Sequence, residues 1–124
     1  MKKTKKIKFP FLLICLLINL LFISPTYSLS SQKDLFENAL NSSSRGDFNL
    51  ALKQWNKYLE LFPDDAAAYS NRGNIKLVIG DPEGAIVDQD KAIDLDPDNM
   101  DPYINRGIAE ESLGLWLKAR DDYL

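Results

Sequence analysis

Four aspartates, Asp94, Asp96, Asp98 and Asp101, are spaced like the oxygen ligands of a calcium loop. Such a loop needs a glycine at its sixth position for the sharp turn and a glutamate at its twelfth to hold the ion with two oxygens. Asn99 and Asn105 stand there instead, so the aspartates read as a solvated turn. Glu110-Glu111 and Asp121-Asp122 are adjacent pairs. Neighbouring residues on a helix point in different directions, so neither pair can act as an acid–base dyad. The chain has no histidine and one cysteine, Cys15. Histidine-dependent triads, histidine-ligated metals and an intrachain disulfide are excluded. No glycine-rich phosphate loop is present. Asn41-Ser42-Ser43 fits a glycosylation acceptor but falls near a helix end, where the Ser42–Ser44 run reads as fraying. No catalytic residue, cofactor or metal ion is expected.

The charge is unevenly distributed. The 124 residues carry a formal net charge of −3. Lys2, Lys3, Lys5, Lys6 and Lys8 come first, and no acid precedes Asp34. Residues 29–124 hold ten basic residues against 18 acids, a net −8. An acidic body repels phosphate, so nucleic acid is not an expected partner. After the lysines, residues 9–23 are apolar except for Pro10 and Asn19, and Ser24 to Ser28 follow. Basic, apolar and small residues in that order form an export signal, with cleavage expected after Ser28. The run is short of the roughly 20 residues that span a bilayer, which favours cleavage; the alternative is an uncleaved membrane anchor at 1–28 that thins the bilayer locally. Cys15 sits inside the apolar run rather than after it, which argues against lipidation. The protein is expected outside the cytosol, in a periplasm-like space or an organelle lumen, or anchored facing one.

What must position any functional side chain is a repeat of 34 residues. Gly46, Gly80 and Gly114 fall in register, as do Ala51, Ala85 and Ala119, and Pro63 with Pro97. Leu35, Tyr69 and Tyr103 align, and so do Ala39, Gly73 and Gly107. Asn71-Arg72-Gly73 recurs unchanged as Asn105-Arg106-Gly107. In the second unit, Tyr69, Ile75, Val78 and Ile79 give helical spacing over 66–79. Gly80 closes that helix, Asp81 caps the next and Pro82 suits its first position. The second helix runs to about Leu95, and Asp96-Pro97-Asp98 turns the chain. Gly73 and Ala85 mark a close crossing of paired helices, and Tyr69 and Tyr103 wedge between neighbouring pairs.

These residues resemble the tetratricopeptide repeat (TPR) pattern. The match is Tyr69/Gly73, Gly80, Ala85, Ala92 and Pro97, then Tyr103/Gly107, Gly114, Ala119 and Tyr123. Leu35, Ala39, Gly46, Ala51, Trp55 and Pro63 give a looser first copy. The resemblance implies an all-α, right-handed solenoid of antiparallel helix pairs, about two and a half repeats: 32–65, 66–99 and an incomplete 100–124. Two departures carry expectations. Gln89 replaces an aromatic and should be thinly packed or bonded to a neighbouring backbone. Tyr58 replaces a small residue and should widen the first pair. The chain stops inside its last helix with no polar capping helix, so it is expected to be part of a longer protein.

The resemblance also implies a concave groove lined by the first helix of each unit. Mapped here, it holds Lys33, Phe36 and Leu40, then Ala67, Ser70, Asn71 and Asn74, then Asp101, Ile104, Asn105 and Ile108. The asparagines can bond a peptide backbone, and the apolar residues offer pockets. TPR domains that grip the C-terminal carboxylate of heat-shock chaperones use a basic and amide cluster in this groove. Asn71 matches one amide, but Phe36 and Leu40 replace the first lysine and asparagine, and Asp101 and Asn105 replace two later basic residues. An aspartate there repels a carboxylate, so that grip is not expected. The expected function is a non-catalytic scaffold, exported or membrane-tethered, that binds a protein or peptide in the groove. The rivals are an accessory arm of an enzyme whose catalytic domain lies beyond Leu124, and an end-to-end self-association module.

Overall fold

The computed structural model describes residues 29–124. The proposed signal or anchor at 1–28, with Cys15, lies outside the described residues. Six helices follow one another: α1 (Leu29–Ser44), α2 (Phe48–Leu61), α3 (Ala66–Val78), α4 (Pro82–Leu95), α5 (Asp101–Ser112) and α6 (Trp116–Asp122). No strand occurs among the described residues. Each helix packs on the next, and α3 also touches α1 and α5. The result is a solenoid of three helix pairs, as the 34-residue period requires. Helix α1 begins at Leu29, three residues ahead of the first repeat unit.

The turns follow from local chemistry. Gly46, Gly80 and Gly114 have φ of 80°, 87° and 74°, the left-handed conformation that ends a helix without a steric penalty from Cβ. Asp81 then caps α4 by accepting from the Gly84 amide at 2.9 Å, and Pro82 takes the first turn. Asp65 caps α3 in the same way through the Ala68 amide at 3.0 Å. Gly73 has a different task. A Cβ there would lie 2.7 Å from Gln89 Nε2 and 3.2 Å from the Ala85 carbonyl oxygen, so the α3–α4 crossing admits no side chain.

The first pair is filled by aromatic rings. Trp55 and Tyr58 are fully buried. Phe36 meets Trp55 edge-on at 5.0 Å and Tyr58 at 5.4 Å, and Phe62 lies 4.9 Å from Tyr58. Buried aromatic area of this kind dominates a small core. Tyr58 lies among the other rings of this pair, next to Phe36, Trp55 and Phe62. Its hydroxyl donates to Asp65 Oδ2 at 2.6 Å and accepts from Gln32 at 3.0 Å. Burial and the Asp65 carboxylate push the phenol up to about 12, so it keeps its proton and ties the first pair to the start of α3. Tyr69 packs against this core from α3, as a wedge between pairs should.

The Ser42–Ser44 run is not frayed. Ser42 is buried, and Ser43 Oγ donates to the Ala39 carbonyl at 2.8 Å while accepting from Trp55 Nε1 at 3.1 Å. A buried indole N–H needs an acceptor, and the last turn of α1 supplies it.

The second and third pairs are tied by charge. Arg72 on α3 bonds both carboxylate oxygens of Asp88 on α4, through Nε at 2.8 Å and Nη2 at 2.6 Å. Its Nη1 reaches back to Asn56 of the first pair at 3.0 Å. Lys76 adds a second cation, 2.9 Å from Asp88. One repeat later Arg106 grips Asp122, with Nε at 2.7 Å, and reaches back to Asp90 at 2.6 Å. Each arginine thus fastens its own pair and the one before it. Gln89, where the first pair has Trp55, is buried and donates to the Ser70 carbonyl and Asn74 Oδ1, both at 3.1 Å. Its NH₂ thus finds the neighbouring backbone, as expected of a buried amide, while its Oε1 is buried without a hydrogen-bond partner.

Candidate functional site: the concave face

Helices α1, α3 and α5 are the first members of their pairs and line one face. The eleven residues mapped from sequence fall into two groups and one outlier. Ser70, Asn71, Asn74, Asp101, Ile104 and Asn105 surround a single polar hollow of about 360 Å³ between α3 and α5, with Ala67 and Asn99. Phe36 and Leu40 line a second, apolar hollow over α1 with Leu29, Gln32, Lys33, Glu37 and Tyr58. Ile108 is partly exposed and lines neither.

The polar hollow is built by fixed amides. Asn71 Nδ2 donates back to the Ala67 carbonyl at 2.9 Å, which leaves its Oδ1 as an acceptor. Asn74 Oδ1 accepts from Gln89, which leaves its NH₂ as a donor. Asn105 Nδ2 reaches Ser70 Oγ across the α3–α5 seam at 3.3 Å. Asn99 Oδ1 accepts from the Asp101 amide at 3.0 Å at the start of α5. The hollow therefore presents both donors and acceptors, the complement of a peptide backbone, and one formal charge, that of Asp101.

The apolar hollow is different. Phe36 is partly spent on the core through its contacts with Trp55 and Tyr58, while Leu40 stays 41% exposed. Lys33 and Glu37 flank it and pair at 3.6 Å across one helical turn. A third hollow bridges the two. It is lined by Gln32, shared with the apolar hollow, and by the α2–α3 turn from Leu61 to Ala67, of which Ala67 is shared with the polar hollow and Asp64 and Asp65 are acidic.

Residues missed from sequence are the two arginines that hold these helices in place. A signal was present: an arginine followed by an aspartate 16 residues on occurs as Arg72/Asp88 and again as Arg106/Asp122. Among the described residues no group of three or more acidic or cysteine side chains is placed to hold a metal ion. Among them, too, no helix is long and apolar enough to cross a membrane.

Helix pairs stacked at this period form the fold of tetratricopeptide repeat domains. The first TPR of Spaghetti, solved bound to the HSP90 peptide SRMEEVD, matches with a TM-score of 0.73 at 21% identity, over 77% of this chain and 76% of that one. The Arabidopsis OM64 TPR domain matches with a TM-score of 0.73 at 26% identity, over 76% of this chain and 78% of that one. In sequence the chain is 29% identical over 100 residues to tetratricopeptide repeat protein 36 of Bos taurus, covering 81% of this chain and 53% of that protein. It spans about a third to a half of the length of the curated relatives of that name that it matches. No family model matches the chain. Fold and sequence likeness both support a TPR protein.

Proposed function

We propose that the chain is a non-catalytic binding module of the TPR family, exported or membrane-tethered through residues 1–28, whose concave face holds an extended peptide or a partner helix. The observation that carries the reading is the pair of hollows on these helices, polar between α3 and α5 and apolar over α1, which a third hollow at the α2–α3 turn adjoins through Ala67 and Gln32. The asparagines of the polar hollow are held by bonds to the scaffold, so this part of the face is pre-organised and a ligand meets little ordering cost there. The solved TPR neighbour that holds the peptide SRMEEVD supports peptide binding as the mode. The lysine cluster and apolar run before Ser24 support export or tethering.

Photo-crosslinking tests the site. A photoreactive residue at Ile104, on the concave face, should capture a partner that the same residue at Lys53, on α2, does not. Equal capture from both positions would argue against the groove. Protease protection in the native cell tests the location, and a fully accessible, unprocessed chain in the cytosol would remove that part of the reading.

A further inference from the structure

We infer that the ligand of this face is a peptide that pairs one bulky apolar residue with a basic residue about five or six positions away. The inference rests on the groove reading and names the chemistry of its ligand. The apolar hollow over α1 offers Leu29, Phe36 and Leu40 above the buried Tyr58 ring, a seat for a large aliphatic or aromatic side chain. Lys33 beside it is matched by Glu37 and contributes little net charge. Beyond it the formal charges are all negative: Asp64 and Asp65 at the α2–α3 turn, Asp101 at the start of α5.

Asp65 is engaged by the Ala68 amide and the Tyr58 hydroxyl, so Asp64 and Asp101 are the carboxylates turned to a ligand. Across the three hollows one cation faces four carboxylates. A peptide such as SRMEEVD, rich in acids, meets repulsion there, whereas an arginine or lysine meets Asp101 beside the acceptor Oδ1 of Asn71. The amides of the polar hollow accept and donate to the backbone on either side of that residue.

The spacing follows from the fold. Packed helices lie about 8–10 Å apart, so two steps from α1 to α5 span roughly 16–20 Å. An extended chain covers this in about five or six residues at about 3.3 Å each.

The test uses fluorescein-labelled peptides of about nine residues, long enough to span the path. Each has phenylalanine near one end, glycine, serine and alanine between, and arginine, glutamine or glutamate at the far position. Anisotropy titrations with the full 124-residue chain at low salt should rank arginine above glutamine above glutamate. The arginine-to-glutamate ratio should be about tenfold and shrink as salt is added. D101N should lower affinity for the arginine peptide about two- to fivefold and leave the glutamine peptide unchanged. Moving the arginine next to the phenylalanine should remove its advantage.

Glutamate equal to or better than arginine, or an arginine advantage that survives D101N intact, would overturn the inference. If all three peptides bind alike and Leu40→Asp abolishes binding, the groove stands and the charge preference alone falls. If none binds, both fall together.

Discussion

The first helix pair and the two that follow share one backbone period but bury different chemistry. In the first, Trp55, Tyr58, Phe36 and Phe62 form a cluster of rings, and Ser43, Gln32 and Asp65 supply the polar partners of Trp55 and Tyr58. In the second, the corresponding interior holds Gln89, Asp88, Arg72 and Lys76. The third keeps Arg106 and Asp122 but replaces Lys76 with Glu110, so an acid stands where the second pair has a cation. The difference teaches that a solenoid period is fixed by its turns and its close crossings, while the fill between helices is free to be oily or ionic. Ionic fill carries a condition. A buried carboxylate must be matched, because removing it from water costs several kcal/mol.

The largest effect should come from breaking the ring cluster. Trp55→Ala should cost about 4 kcal/mol, since it removes the largest buried side chain and leaves Ser43 and Phe36 facing a cavity. Urea denaturation checks this; a loss below about 1 kcal/mol would mean that the first pair does not rest on its aromatics.

Next comes the ion tie. Asp88→Ala should cost about 3 kcal/mol by stranding Arg72 and Lys76, whose side chains are 18% and 19% exposed. Asp122→Ala should cost about 1 kcal/mol, because its loss also relieves repulsion on Glu110. Equal losses in the two variants would erase the distinction between the second and third pairs.

A smaller effect sharpens the contrast. Glu110→Lys restores the second pair's arrangement in the third and should raise stability by roughly 1 kcal/mol at neutral pH. A drop in melting temperature would mean that Glu110 is held by contacts the second pair lacks.

The smallest effect is a dependence on pH. Burial pushes the Glu110 carboxyl above the usual carboxylate range, the Asp122 charge adds to this, and Arg106 and Lys118 oppose it. Its Oε2 is buried with no hydrogen-bond partner. A raised folded-state value means that the stabilising contribution is complete below the unfolded value and is lost as pH rises through the folded one. Glu110→Gln should therefore gain melting temperature over the native chain at neutral pH and lose that advantage near pH 4. An advantage independent of pH would place the effect in packing rather than in charge.

Much of the fold was legible in the sequence. Gly80 ends one helix and Asp81 starts the next because each acts on backbone groups within a few residues of itself. Gly73 against Ala85 was legible as a close crossing because both are small residues that return in register from unit to unit. The Ser42–Ser44 run misled because its function depends on Trp55, twelve residues beyond Ser43 and on another helix. The candidate site was legible as a set of positions but not as a shape. Sequence register placed eleven residues on one face, yet Phe36 is half consumed by the core, Asn74 is bound to Gln89 and Ile108 stands apart.

By itself the sequence determined the repeat, the helix ends, the alternation of helix pairs and the acidity of the body. These depend on residue type, local backbone conformation and charge count, all of which are properties of short stretches. Only the tertiary structure decided which buried charges found partners, how the arginines bridge successive pairs, and that the concave face divides into an apolar seat and a polar hollow. Those outcomes are set by contacts between residues 16 to 35 positions apart, as in Arg72 with Asp88 and Asn105 with Ser70. Such contacts exist only after the helices have packed, and their worth depends on how far packing has excluded water from around them.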